Sequence, residues 1–412
     1  MKFNIKKHKK FIEETKKPFY LYDKNILEKK YDLLRNNLDE KINIFYSMKA
    51  NPNINFVKTF KEKNAGIEIA SIGELETCLR LNVKPDKIIF AGPGKSFEEL
   101  EKAVLVGIKT INIESFNELK KVNEICDKHQ KVQDVNIRIN PNFKVDNSIL
   151  QMGGGAMKFG IDIDILEKNI HILSKNKNIN IKGIHVFGAT QVLDENLIEK
   201  YFKNVFELFK KVENLLDIKL EILDIGSGFG IDYKKQNNEL DMNILGKKIN
   251  TIFQNQTELY NRKNFSIILE SGRYLAAESG VYITKVIDKK KSRNKNFAIV
   301  KGGINHLLRP ALIEQSHFIE ILNSNPDNLE KISIGGQLCT GIDFFVKDKK
   351  LPVTNINDTV AIYDTGAYGY SESMLYFLSH SFPKEYMVKN DKYQLIRKAK
   401  DYNQFINNQI EI

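Results

Sequence analysis

The chain has 412 residues, 42% hydrophobic and 10% aromatic, with 63 Lys and Arg against 52 Asp and Glu and a formal net charge of +11. That length suits two or three domains of about 150 residues, or one large barrel plus a smaller partner, and the apolar share excludes a wholly disordered chain. No apolar run approaches the ~18 residues of a membrane span, the opening MKFNIKKHKK lacks the apolar stretch of a signal peptide, and Cys78, Cys126 and Cys339 lie far apart with no CxxC pair; together these point to a reducing cytoplasm.

Phe19–Tyr22, just after Pro18, reads as an early strand. From residue 42 onward, a β-rich run ending in polar or glycine residues alternates with a helical pattern. The runs are Ile42–Lys49, Gly66–Ala70, Lys87–Ala91, Thr110–Ile113, Val135–Asn140, Ile181–Phe187, Ile222–Ile225 and Ser266–Glu270. Three of the following helices open on S-x-x-E, pairing Ser71 with Glu74, Ser96 with Glu99 and Ser115 with Glu118, and each pair is expected to form a capping box. Eight strand–helix units in succession predict an α/β fold, a TIM (β/α)8 barrel, in preference to an open doubly wound sheet. After about residue 275 the helical spacing disappears. Val281–Ile287, Phe297–Val300, Lys331–Ile334 and Thr359–Tyr363 read as strands joined by short turns, and Tyr393–Lys398 alternates weakly. The expected division is residues 1–40 as an N-terminal segment contributing to a β domain, 41–275 as the barrel, and 276–412 as a C-terminal, mostly β domain that takes up the early strand. The final dozen residues follow neither pattern.

The positive charge is spread rather than clustered. Lysines often stand beside glutamates and rarely alternate with aromatics, so no nucleic-acid groove is expected. The joint richness in Lys, Ile and Asn is what AT-rich coding DNA produces, and an acidic macromolecular partner stays open.

Two glycine-rich stretches imitate nucleotide sites and fail in detail. Gly92-Pro-Gly-Lys-Ser96 lacks the first glycine of a phosphate loop, because position 89 is Ile, and Pro93 removes a backbone N–H. Gly226-Ser-Gly-Phe-Gly230 has Ile231 where a dinucleotide fingerprint has its last glycine. None of the histidines has metal-ligand spacing, so no metal is expected. What remains are polar residues at strand ends, the face of a barrel where chemistry sits. These are Lys49, Glu68, Arg138, His185 with Phe187, Gly226 with Gly228, and Glu270 with Arg273. Singly, a lysine is usually solvated and a lone histidine usually a satisfied core residue. Jointly, an amine able to form a Schiff base, an arginine, a turn exposing N–H groups and a carboxylate suit an anionic, nitrogen-containing cofactor.

Those residues in that order resemble the fold-type III pyridoxal-phosphate decarboxylases, the diaminopimelate, ornithine and arginine decarboxylase group. The resemblance runs from Pro18-Phe-Tyr-Leu-Tyr22 to Gly366-Ala-Tyr-Gly369. It implies pyridoxal 5'-phosphate held by Lys49 in Tyr46-Ser-Met-Lys-Ala-Asn51, a phosphate turn at Leu223-Asp-Ile-Gly-Ser-Gly228, and Glu270-Ser-Gly-Arg273 as the E-x-G-R that partners the pyridine nitrogen and the phosphate. It also implies Arg138 at the phenolic oxygen, Tyr368 near the phosphate, and Glu68 beside the cofactor. Arg309, Thr340 and Tyr368 are implied on the substrate side. Cys339, in Leu338-Cys-Thr-Gly-Ile-Asp343, is implied to cross a homodimer interface and reprotonate Cα.

Departures bear on the substrate. Thr340 stands where diaminopimelate enzymes carry an acid, and Ile313 ends Arg309-Pro-Ala-Leu-Ile313 where they carry Tyr. The ring-stacking His aligns with Phe187, with His185 two residues earlier, and Thr190 stands in place of a phosphate-side Ser. Met152-Gly-Gly-Gly155, Met157-Lys-Phe-Gly160 and His185-Val-Phe-Gly-Ala-Thr-Gln191 are most similar to a narrower branch. That branch includes the glutamyl–carrier decarboxylase of butirosin biosynthesis and exosortase-associated relatives. The expected function is therefore decarboxylation of an L-amino acid, free or as an aminoacyl group on an acidic acyl-carrier protein. Diaminopimelate decarboxylase is the alternative within the same chemistry. An amino-acid racemase shares the architecture, but its arginine at the pyridine nitrogen conflicts with Glu270, and a PLP-binding homeostasis protein lacks the β domain.

Overall fold

The computed structural model describes residues 3–143, 150–151, 153–236, 238–322, 324–400, 402–407 and 409–411. Met152, the first residue of one quoted motif, lies outside them. The chain divides into two compact units, one comprising residues 30–231 and 238–274, the other residues 1–29, 232–237 and 275–412.

The first unit is a closed barrel of eight parallel strands: Ile42–Ser47, Gly66–Ile69, Ile88–Phe90, Thr110–Ile113, Gln133–Asn140, Ile179–His185, Ile222–Asp224 and Ser266–Ser271. Each pairs with its neighbours in chain order, and the eighth closes on the first, with Glu270 beside Phe45. Side chains two apart along a strand share a face. Phe45, Ile89, Ile222 and Ile268 meet in one buried apolar cluster. Phe45 fits because Gly66 lacks a side chain: a Cβ there would stand 2.3 Å from its ring. Gly183 likewise lets the sixth and seventh strands close, since a Cβ would meet the Ile222 carbonyl at 1.8 Å. One step further along the same faces come Ser47, Glu68, His185, Asp224 and Glu270.

The three S-x-x-E helices differ from expectation in how the glutamate closes the cap. Each serine accepts from the backbone N–H three residues on. Only Ser96 and Glu99 complete a capping box. Glu74 and Glu118 reach one residue further back, accepting from the N–H groups of Ala70 and Glu114. There the serine lies in a fully extended conformation with φ near −160°, which turns its own N–H away from the helix.

The second unit is built on a nine-stranded sheet. Phe19–Asp23 lies inside it, antiparallel to Gly280–Ser292 and parallel to Lys384–Lys389. The early strand is thus fully paired, and Phe19, Leu21, Val281, Ile283, Ala361 and Val388 bury one continuous apolar layer. Beyond the expected strands, this unit contains Ile319–Ile321, Phe344–Pro352 and Lys384–Lys389, and the weak alternation near residue 393 is the strand Lys392–Arg397. Among the described residues no helix is long and apolar enough to cross a membrane.

Candidate active site

Lys49 is not the last residue of the first strand, as the apolar run suggested. The strand stops at Ser47, and Lys49 sits in the 3-10 turn Met48–Ala50. That turn packs close under the end of the eighth strand because residue 272 is glycine: a Cβ there would stand 2.8 Å from the Ala50 Cβ. The Lys49 ammonium donates to both oxygens of Glu68, at 3.0 and 3.1 Å, and lies 5.7 Å from the centre of the Phe187 ring. Glu68 is buried at the end of the second strand, while the lysine is partly exposed.

The sixth strand ends at His185, so Phe187 belongs to the loop after it rather than to the strand. This separates the two aromatic candidates. Phe187 faces Lys49 on one side and the turn at Gly226 on the other, where a Cβ would fall 2.3 Å from its ring. His185 lies deeper, with Nε2 3.7 Å from Glu270 Oε2, and neither ring nitrogen has a hydrogen bond. Burial first, then the charges of Arg138, Lys49 and Lys95, hold its pKa well below the usual imidazole value, so it is neutral.

His185, Asp224 and Glu270 bring their polar atoms within 4.8 Å of one another. Burial pushes the Glu270 carboxyl well above its ordinary value, with Asp224 and Glu68 adding to the rise. Asp224 is pushed up to about 7, chiefly by burial and against the hydrogen bond from Asn112 Nδ2 at 3.1 Å. The two carboxyls act as one proton-sharing pair. Glu270 Oε1 is buried without a partner.

Glycines 226 and 228 adopt left-handed backbone, φ 60° and 68°, after the seventh strand. The turn is tied to the loop after the sixth strand. The Tyr201 hydroxyl lies within hydrogen-bonding distance of the Val186 and Ile225 carbonyls and accepts from Gly188 N–H. Gln191 exchanges two hydrogen bonds with Ile231. Thr190 sits in a short ribbon, Ala189–Thr190, opposite Leu150–Gln151. Arg273, buried, opens the helical turn Arg273–Ala276 after the eighth strand.

Arg138 donates from Nη1 to Glu114 at 2.6 Å and stacks over Phe159 at 4.6 Å. Glu114 also accepts from Gly92 N–H and Gly160 N–H, at 2.9 and 3.0 Å, and so ties three loops to the arginine. The lysine of Gly92-Pro-Gly-Lys-Ser96 turns inward: Lys95 is buried against Glu118 at 2.6 Å and donates to the Gly92 and Asn112 carbonyls. It is a structural lysine. Glu114, Asp224 and Asn112 were not singled out from the sequence, although each is a polar residue at the C-terminal end of a barrel strand.

The structure therefore brings Lys49, Glu68, Arg138, His185, Phe187, Gly226, Gly228, Glu270 and Arg273 to the C-terminal ends of one set of strands. Cys339, Thr340, Arg309 and Tyr368 belong to the other unit. There Cys339 is exposed, and Asp343 fixes its loop by accepting from Leu338 and Ile304 N–H, each at 2.8 Å.

A closed (β/α)8 barrel with an amine just past one strand end, a buried carboxyl pair on the next two strands round the barrel and a glycine turn after the second of them defines a barrel enzyme built around a Schiff-base cofactor. The sequence profile of the pyridoxal-dependent decarboxylases, pyridoxal-binding domain, matches residues 24–277. The chain is 34% identical over 402 residues to the L-glutamyl-[BtrI acyl-carrier protein] decarboxylase of Niallia circulans, covering 96% of this chain and 94% of that one. It is 31% identical to the diaminopimelate decarboxylase of Campylobacter jejuni, with 96% of each covered. The crystal structure of Helicobacter pylori diaminopimelate decarboxylase complexed with L-lysine superimposes with a TM-score of 0.87 at 30% identity, over 97% of this chain and 98% of that one. The chain belongs to the pyridoxal-dependent decarboxylases. It is an enzyme of that class, and its cofactor is pyridoxal 5'-phosphate. The residues present fit that group: the orphaned Glu270 Oε1 suits a buried N–H donor, and the left-handed glycines 226 and 228 make the kind of turn that presents backbone N–H groups to an anion.

Proposed function

We propose that the chain decarboxylates an L-amino acid presented as an aminoacyl group on an acidic carrier protein. The observation that carries this reading is Thr340 beside Cys339. The position that would pair a distal ammonium has no charge, and the relative at 34% identity is named for a carrier-linked substrate.

In this reading Lys49 would bind the cofactor, and Glu68, which accepts from the Lys49 ammonium, would orient that amine and stabilise its charge. Glu270 keeps a proton at the pyridine nitrogen, and the neutral His185 beneath it adds no competing charge. Phe187 packs on the ring face, a role its contacts with Lys49 and Gly226 favour over His185. Arg138, held by Glu114, faces the phenolic oxygen. The N–H groups at Gly226 and Gly228, with Arg273 and Thr190, would take the phosphate. Bound pyridoxal phosphate supplies the electron sink for the pair released as CO2 leaves. Cys339 from a second copy returns a proton to Cα, which makes the active unit a homodimer with shared sites.

Two measurements check this. Mixing inactive Lys49→Ala chains with inactive Cys339→Ala chains is expected to restore up to about one quarter of the sites, since only heterodimers combine both intact halves. No recovery from demonstrably exchanged heterodimers removes the shared site. The second compares substrates across a salt series. Complementary charge mainly speeds association and is screened over about 8 Å at 0.15 M salt. For a carrier-linked amino acid, kcat/KM is expected to fall steeply between about 0.02 and 0.3 M salt, while that for a free analogue changes little. Ordinary turnover of meso-diaminopimelate, with none of carrier-linked amino acids, assigns the chain to diaminopimelate decarboxylation instead.

A further inference from the structure

Arg309 opens the short helix Arg309–Leu312 and is buried. Its Nη1 donates to Glu372 Oε2 at 2.6 Å, its Nε donates to Gln315 Oε1 at 3.1 Å, and its face lies 4.6 Å from the centre of the Tyr368 ring. Tyr368 has φ 57°, a conformation costly for an aromatic residue and kept only where its surroundings impose it. The pair is uneven in exposure: the arginine side chain is 5% exposed and the glutamate 31%. A buried arginine with no acid beside it is a ready receptor for a carboxylate. This one already has its carboxylate, from its own chain. A second carboxylate brought to the same guanidinium meets the Glu372 charge at close range, and like charges so placed oppose each other. An uncharged acyl end meets no such repulsion.

We propose that Glu372 is a specificity-determining residue: by neutralising Arg309, it selects amino acids whose side-chain end is an uncharged acyl group, thioester or amide, over those ending in a free carboxylate. The inference rests on the decarboxylase reading above and on the resemblance that implies Arg309 and Tyr368 on the substrate side. It goes beyond that reading in naming the residue that rejects the free acid.

The test uses the holoenzyme and four probes. The γ-L-glutamyl thioester of N-acetylcysteamine and L-glutamine have neutral ends, whereas L-glutamate and meso-diaminopimelate end in carboxylates. CO2 release is measured alongside the apparent Kd from the change in cofactor absorbance. The wild-type protein is expected to favour the neutral-ended probes by about ten- to a hundredfold in kcat/KM, the scale of one charge-assisted contact. Glu372→Gln removes the charge but keeps a carbonyl for Arg309. It is expected to abolish or invert that preference by a gain on L-glutamate, visible in Kd as well as in turnover, and Glu372→Asp to restore it. A wild-type preference for the carboxylate-ended probes, or an unchanged preference in Glu372→Gln, overturns the role of Glu372 and leaves the decarboxylase standing. No response of absorbance or CO2 to any of the four overturns the amino-acid reading itself, and this inference with it.

Discussion

The Lys49→Ala protein is expected to be colourless where the wild type shows the visible absorbance of a lysine-bound pyridoxal, and to lose decarboxylation by about 10⁴- to 10⁶-fold, the scale seen when a covalently acting group is removed. Lys49 is the amine at the barrel's strand ends that is both accessible and held by a buried acid, at 41% and 1% side-chain exposure. Lys95, another lysine near these loops, is 2% exposed and committed to Glu118. Borohydride reduction of the wild-type protein followed by peptide mapping should therefore place the pyridoxyl group on Lys49. Label on Lys95 would remove the assignment.

Glu270→Gln is expected to separate colour from catalysis. Lys49 remains, so the absorbance band persists. An amide does not hold the pyridine proton as a carboxylate does, and turnover falls by about 10²- to 10⁴-fold, the range of a lost acid–base group. The same variant carries a stability signature of opposite sign. In the cofactor-free protein, the folded-state pKa of Glu270 lies well above its usual 4.5, and that of Asp224 is raised from 3.8 to about 7. The folded state then binds more protons than the unfolded one, and stability falls as pH rises from about 4 toward 7. Cofactor-free wild type should lose melting temperature across that window, and cofactor-free Glu270→Gln should lose less. Equal slopes for the two proteins would show that Glu270 does not carry the extra proton of the folded state.

The barrel was legible because strands buried on both faces read as short, nearly continuous β-rich runs, each ending in polar or glycine residues and followed by a helical pattern. All eight expected runs correspond to strands. The sheet of the other unit was only partly legible. Phe344–Pro352 reads as a charged segment, yet it is an edge strand, where lysines ward off further pairing. Lys384–Lys389 gains its strand character by pairing with residues near the chain's start, a partner that local pattern does not reveal.

At the site, motif residues were readable and their supporting groups were not. Asn112 reaches Asp224 across the barrel from a strand that is not its neighbour, and Glu114 joins two glycine N–H groups from separate loops to an arginine on the next strand. Telling the positions of His185 and Phe187 apart turned on where one strand stops, and strand ends are the least certain feature of a sequence reading.

The position of Phe19–Asp23 inside its sheet has a consequence for biosynthesis. The ribosome makes this strand ahead of the barrel, but both of its lateral partners, Gly280–Ser292 and Lys384–Lys389, emerge only after the entire barrel. At about 5–20 residues per second, the segment waits tens of seconds, apolar and unpaired, before its second neighbour exists. During that interval Phe19, Tyr20, Leu21 and Tyr22, all fully buried in the finished molecule, are open to chaperones and to the same segment on neighbouring nascent chains.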